Sequence, residues 1–364
     1  MSNKRVVITG LGVISSNAIG KEAFFEAVSK GVSGIKPVSL FDTAPFDAKT
    51  AGEVKDFTPE EFLGAKGLRT LDRSTKLVAS AAKLALDDAK LAITEANSHD
   101  TGVAVGTTLG SLRSISEFDR DAILEGPRYV NPALFPNTVI NSPASQVSIK
   151  FNIKGFNATI STGFSASLDA INYAADFIRS GRAKVVLAGG VEELCIQTFI
   201  GFYKAGLMAG ASTEGGVIIG EGSAILVLED LDSARQRKAH VYAEVSGYGS
   251  GSGSREGIKK AMEESIKEAN ITISDVDYIS SAANLDNEND IGEAQAILDL
   301  FGIRDKMRIS SIKPLIGECY SASGSLQAVA AVAAIEKQAV ENVLVNAFGP
   351  SGPNSSLIIS GFRG

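Results

Sequence analysis

Residues 160–188 read ISTGFSASLDAINYAADFIRSGRAKVVLA. A small-residue turn feeds a long amphipathic helix pattern, and a short turn then leads into a Val/Leu strand. The same grammar returns at 323–346, SGSLQAVAAVAAIEKQAVENVLVN. An internal echo of this kind favours two similar α/β halves over two unrelated domains. A small-residue turn at the start of a helix is also where many enzymes mount a nucleophile. Here the residue at the tip is Phe164, which carries neither a thiol nor a hydroxyl.

The rest of the chain fits this frame. It has 364 residues, 44% hydrophobic and 21% charged, enough to bury a sizeable core. Glycine is plentiful at 37 and proline modest at 10, as suits many tight strand-to-helix turns. The net charge is −7 with no long basic run, which argues against a nucleic-acid role. Two distant cysteines, Cys195 and Cys319, are too few for a disulfide framework and fit a reducing, cytoplasmic setting. The N-terminal apolar run is short and rich in Gly, Thr and Ser, and no stretch approaches the ~20 apolar residues of a membrane span.

Strands are predicted at RVVITGLGV (5–13, running into a glycine turn), TGVAVGTTLG (101–110, with its turn), KVVLAGG (184–190) and SAILVLEDL (223–231). Helical periodicity covers 71–91 and 110–125, and an apolar helix follows a loop within 131–149. The charged stretch 232–240 bridges to a second half. There, strands are predicted at 241–249 and 276–284, a strand plus loop at 309–317, and strands in VLVNAFG and SSLIISG. Helices are predicted at 256–271, 289–302 and 321–338. The run GYGSGSGS (247–254) lacks a P-loop lysine or a GxGxxG pattern and reads as a flexible turn.

From end to end these segments resemble the β-ketoacyl-acyl-carrier-protein synthases. RVVITGLGVISSNAIG is similar to the family's opening strand, LDRSTKLVASAAKLALDDA to its Asp-Arg helix and AKVVLAGGVEE to its Ala-Gly-Gly-x-Glu strand. GVIIGEGSAILVLEDL is similar to the strand that crosses into the second half, and NAFGPSGPNSSLII to the closing glycine-rich loop. The resemblance implies the thiolase fold: an α/β protein of five layers, αβαβα, with two pseudo-equivalent halves, here 1–235 and 236–364, working as a dimer.

The family uses one cysteine nucleophile and two histidines. Its cysteine position falls at Phe164, its first histidine at Ala282 in SSAAN, and its second at Glu318 in KPLIGE. Lys313, Gly317, Asp290, Glu293, Gly189 and Gly190 anchor that alignment, and Lys313 and Glu293 stand as retained family positions. The only histidines, His99 and His240, lie outside these stretches. Two family segments are shortened, one at 247–254 and one between Cys195 and Gly220, both near the active-site entrance.

Other residues admit further assignments. Ser165 follows Phe164 but no histidine is close in sequence to activate it, so Ser165 and Ser167 read as caps at the helix start. Cys319 beside Glu318 reads as a buried, inert thiol, and Cys195 likewise. Asp286, Glu288, Asp290 and Glu293 fail calcium-loop spacing, because Ile291 holds the required glycine position, and read as acids at a helix N-terminus. Glu318 reads as hydrogen-bonded or paired with Lys313.

With all three catalytic groups replaced and the scaffold kept, the chain resembles the chain length factor, or KSβ, subunits of type II polyketide synthases. Many of these carry glutamine where Phe164 stands, and the short length is similar to compact Gram-negative members. The resemblance implies a heterodimer with an active ketosynthase (KSα), contact with acyl carrier protein mainly through that partner, and a growing polyketide chain. It places Leu112, Ile115, Phe135, Val139 and Ile140 at the interface and tunnel. No cofactor, metal, nucleic acid or membrane is implied. The alternatives are an atypical acyl-transfer enzyme using Ser165, Cys319 or Glu318, and an acyl-binding homodimer of the same fold.

Overall fold

A computed structural model describes residues 4–211, 216–253, 255–284, 287–304, 307–338, 340–349 and 352–364, with the side chains of 287–289 and 338 outside the described set. Its main sheet has ten strands. The first half supplies β1 (Val6–Ser15), β2 (Thr101–Gly106), β3 (Asn157–Ile160), β4 (Val185–Glu192) and β5 (Gly222–Asp230). The second supplies β6 (Ala243–Ser252), β7 (Tyr278–Ser280), β8 (Arg308–Ser310), β9 (Asn342–Ala347) and β10 (Pro353–Gly361). In space the first half runs β3-β2-β4-β5-β1 and the second β8-β7-β9-β10-β6. Each half therefore uses the same strand order. Each has two parallel pairings followed by two antiparallel ones. A short antiparallel pairing, Val7 with Glu244 and Ile8 with Ala243, joins β1 to β6.

The principal helices are α1 (Arg73–Asp88), α2 (Leu112–Leu124), α3 (Ser142–Phe151), α4 (Ala166–Arg179), α5 (Ile196–Lys204), α6 (Arg255–Glu268), α7 (Asn287–Phe301) and α8 (Ser323–Gln338). Helices α1 and α3 cover the outer face of the first half-sheet, and α6 with α7 covers that of the second. Helices α4 and α8 pack against each other, and each touches strands of both halves. This is the expected five-layered thiolase fold. The echoed segments are its two central helix–strand units, α4–β4 and α8–β9.

The central layer explains why the echo is rich in small residues. Ala166, Ala170, Ala174, Ala175, Ala328 and Ala331 are all buried there. A Cβ on Gly324 would stand 2.8 Å from Leu168 Cγ and 2.9 Å from Ser167 Oγ. Ser167 Oγ accepts the Ser325 backbone N–H at 2.9 Å, in the first turn of α8. It thus helps to cap the helix of the other half. Ser165 does not cap its own helix either: its hydroxyl donates to Asp169 Oδ2 at 3.0 Å.

Two glycine-rich segments in which strands were expected to run into turns are strand throughout. β1 continues through Gly10 and Gly12 to Ser15, and β6 through Gly247, Gly249 and Gly251 to Ser252, while residue 254 lies outside the described residues. The cause is helix packing. A Cβ at Gly12 would lie 1.9 Å from Ala81 O on α1, and one at Gly249 would lie 2.1 Å from Ala261 O on α6. Alternate glycines let each helix rest directly on the strand backbone. The predicted strand at 276–284 also shortens to Tyr278–Ser280, because Ser281 and Ala282 turn aside to bond Glu293. Gly12→Ala and Gly249→Ala are each predicted to lower stability by about 1–3 kcal/mol through overpacking. Urea unfolding measures this, and unchanged midpoints would contradict the packing.

Candidate functional site

The turn after β3 passes through Gly163 at φ +77 and a single 3-10 turn, Gly163–Ser165, before α4 begins. Left-handed backbone there favours glycine. Phe164 is half-buried. Its ring meets the Tyr320 ring edge-on, with centroids 5.9 Å apart. The closing loop lies against its other side, since a Cβ at Gly349 would be 2.4 Å from Phe164 Cδ2. Glu318 lies two residues before Tyr320 in the chain.

Glu318 is buried and fully engaged. Oε1 accepts Ser323 Oγ at 2.7 Å, and Oε2 accepts Lys313 Nζ at 2.8 Å and Asn284 Nδ2 at 2.5 Å. Both side chains of the Lys313–Glu318 pair are almost completely inaccessible. Asn284 follows Ala282 by two residues, which brings the third position to the same place. Ala282 presents only a methyl, and its backbone N–H donates to Glu293 Oε1 at 3.1 Å. Glu293 is not an acid at a helix start. It is buried in α7, accepts Ser281 Oγ at 2.7 Å and Asn346 Nδ2 at 2.8 Å, and has its carboxyl pKa raised by burial. Among the other three acids, Asp290 accepts the Asn284 N–H at 3.1 Å, while Asp286 and the Glu288 side chain lie outside the described residues.

The structure thus brings Phe164, Ala282, Glu318, Lys313 and Glu293 into one region. A phenyl and a methyl have no proton or lone pair to give, and the Glu318 carboxylate is already met by three donors. Cys319 is fully buried, and its thiol is pushed well above its ordinary range by burial and by Glu318. Cys195 is buried at the start of α5, with Sγ 3.2 Å from Thr198 Oγ1 and its pKa raised by burial. Among the described residues, no group of three or more His, Cys, Asp or Glu is placed to hold a metal ion.

The residues expected at an interface lie elsewhere. Leu112 and Ile115 on α2 are half-buried, while Phe135, Val139 and Ile140 on the segment after it are exposed, Phe135 at 60%. In the single chain these five form part of a surface. None lines the 460 Å³ cavity under α2, whose walls include Arg69, Lys76, Arg113, Phe118, Leu134 and Glu193. Strand β3, nearby, is an open sheet edge.

Several residues carry weight that the sequence did not flag. Asp169 gathers four hydroxyls, from Thr162, Ser165, Tyr248 and Ser355. Glu192 is fully buried, accepts Ser321 Oγ at 2.5 Å and the Thr108 and Leu109 N–H groups, and is raised by burial to about 7. Glu193 is raised to about 8 by burial and by the nearby Asp72 charge. Arg73 donates to Glu221 Oε2 at 2.7 Å, and Glu221 also accepts the Val54 and Leu194 N–H groups. The motif AGGVEE contained both raised acids, but nothing local showed that they would be buried.

This fold, with its central pair of helices and a turn delivering residue 164 to their start, defines a thiolase-type condensing-enzyme scaffold. The chain belongs to the β-ketoacyl synthase family: its N-terminal domain matches residues 3–234 and its C-terminal domain residues 242–345. It is 32% identical over 413 residues to a 3-oxoacyl-[acyl-carrier-protein] synthase 2 of Coxiella burnetii, covering 99% of each chain. A 3-oxoacyl-[acyl-carrier-protein] synthase 2 of Vibrio harveyi is 30% identical over 98% of this chain and 99% of its own. Among solved structures, the ishigamide ketosynthase/chain length factor matches with TM-score 0.92 and 28% identity over 100% of both chains. A type II PKS acyl-carrier protein in complex with its ketosynthase bound to the hexaketide, AntDE:AntF, matches with TM-score 0.89 and 26% identity over 99% of this chain and 100% of that one. No helix among the described residues is long and apolar enough to cross a membrane.

Two predictions follow from the buried charges. Glu318→Ala leaves Lys313 buried without its counter-charge and is expected to cost about 3–5 kcal/mol, whereas Lys313→Met with Glu318→Leu costs much less. Denaturant unfolding of the three proteins checks this, and equal losses would contradict it. Glu192 and Glu193 hold protons in the folded state that the unfolded chain has released above its usual Glu pKa, near ~4.3. Their contribution is therefore fully present below that value and is lost as pH rises through about 7 and about 8. The urea midpoint should fall between about pH 5 and pH 8, and Glu192→Gln with Glu193→Gln should flatten the fall.

Proposed function

We propose that this chain is a non-catalytic ketosynthase-like subunit of the chain length factor type, and that its two halves, 1–235 and 236–364, serve as scaffold for a partner's active site. The observation that carries this reading is the joint replacement at the nucleophile and histidine positions. Phe164 packs against Tyr320, and Glu318 is locked to Lys313, Asn284 and Ser323. Each replacement is accommodated by its surroundings, so the site holds together as structure. The similarity to the ishigamide ketosynthase/chain length factor supports the same reading.

The partner is an active ketosynthase, KSα, forming a heterodimer. The surface around Phe135, Val139 and Ile140, together with the open edge of β3, supplies the contact. Isolated apolar residues are ordinary on a surface, but three exposed ones within six residues, together with an open strand edge, favour an interface. Leu112, Ile115, Phe135, Val139 and Ile140 then border a tunnel completed only when the partner is present, and their bulk limits the growing polyketide chain. The acyl carrier protein engages mainly through the partner, which holds the reactive thiol. No cofactor enters this scheme.

Product length tests it. With the partner ketosynthase and carrier protein present, enlarging Leu112, Ile115 or Ile140 to Phe is expected to shorten the released chain by at least one extension unit, read by mass spectrometry. Unchanged products from all three variants would remove the tunnel role. Phe164→Cys alone should yield no β-ketoacyl product, because positions 282 and 318 still lack imidazoles. Measurable product from that variant would contradict the non-catalytic reading.

A further inference from the structure

Helix α2 is held to the molecule by little of its own. None of its side chains is fully buried, and Ser111 at its N-terminus makes no side-chain bond to the helix's free N–H groups. Those groups need partners from elsewhere. One partner is Glu193, just beyond β4, whose Oε1 accepts the Arg113 N–H at 3.2 Å. The same carboxyl lies near the Ser74 N–H in the first turn of α1. The Ser74 and Ser111 hydroxyl oxygens stand 3.2 Å apart across the same two helix ends. Glu193 therefore sits between the starts of α1 and α2.

A second acid meets it there. Glu193 is only 2% exposed and Asp72 only 9%, and both border the cavity under α2. Asp72 Oδ1 caps α1 by accepting the Thr75 N–H at 2.7 Å, but Asp72 Oδ2 is buried without a hydrogen-bond partner. A buried carboxylate oxygen left unpaired is costly. A protonated Glu193 has one O–H to give, and Asp72 Oδ2 is the nearby acceptor that lacks a donor. The neighbouring cations are already committed. Arg73, which also faces Glu53, donates to Glu221 at 2.7 Å, and the Arg113 guanidinium donates to Glu117 at 2.8 Å. Glu221 adds a further negative charge near Glu193, and the Cys195 thiol beside it has its pKa raised by burial. The other charged groups around the cavity are Arg69, Lys76 and the Arg120–Asp121 pair. Burial and the Asp72 charge raise the Glu193 carboxyl to about 8, in keeping with a retained proton.

We propose that Asp72 and Glu193 share one proton, and that this proton latches the start of α2 to the start of α1. When it leaves to solvent, two carboxylates face each other under α2, and they gain hydration only if the helix lifts and water enters from the cavity. Linkage gives the sign. The docked helix favours the protonated pair and the lifted helix the ionised one, so rising pH releases α2. Leu112 and Ile115 stand on this helix, and its release moves both. The latch rests on these contacts alone and holds whether or not the chain length reading does.

Amide hydrogen exchange of the full-length chain tests this, with protection taken against the intrinsic exchange rate at each pH. Between about pH 6 and about pH 8.5, protection in α2 is expected to fall at least tenfold in the wild-type chain. Glu193→Gln, neutral at both pH values, is expected to hold it within about twofold, whereas Glu192→Gln keeps the wild-type fall. If Glu193→Gln fails to fold, Asp72→Asn keeps a capping side chain, removes the facing charge and is expected to narrow the fall. A fall that persists in Glu193→Gln overturns the proposal, as does one abolished by Glu192→Gln or unchanged in Asp72→Asn. So does an α2 that exchanges no faster than α4 at the higher pH, because the helix then opens only with the whole chain.

Discussion

Two helices share one layer between two half-sheets, and most of the molecule answers to that constraint. Each of α4 and α8 must touch its partner helix and strands of both halves. Close approach of the two helices is allowed by alanine, serine and Gly324, against which Leu168 packs. The Ser167 hydroxyl, in one half, satisfies an N–H at the start of the other half's helix. That bond fixes where both helices begin. The turn that delivers residue 164 is therefore held by the fold, whether or not the residue on it reacts.

The region around this turn poses a packing problem and a charge problem, and the chain solves both. The volume is filled by Phe164, Tyr320 and the loop at Gly349. The charge introduced by Glu318 is balanced by Lys313, a buried cation that would be costly without it. Glu293 ties Ser281 and Ala282 to Asn346 and so keeps the neighbouring segment in place. The result is a fold that matches those of ketosynthases over the whole chain.

Much of this was legible in the sequence. Helical periodicity located α1, α4 and α8, and the echo between 165–188 and 323–346 anticipated the repeated strand order. A hydrogen bond for Glu318 or its pairing with Lys313 was expected because a lone carboxylate without nucleophile or metal rarely makes an active site, and the structure holds both. The misreadings share a cause. Gly10, Gly12, Gly247, Gly249 and Gly251 look locally like turn residues, and only the helices lying on them, brought in by tertiary packing, show that they belong to strands. Glu293 looked like a helix-start acid because its partners, Ser281 and Asn346, come from two other segments. The left-handed backbone of Tyr320 and the burial of Glu192 and Glu193 have no local signature at all.

The central claim is that this chain works only beside a catalytic partner. It is tested most directly by affinity purification of the chain from its native host, with mass spectrometry of what accompanies it. The account predicts a stoichiometric ketosynthase carrying an intact cysteine and two histidines. A homodimer with no ketosynthase present would contradict it and would return attention to Ser165, Cys319 and Glu318.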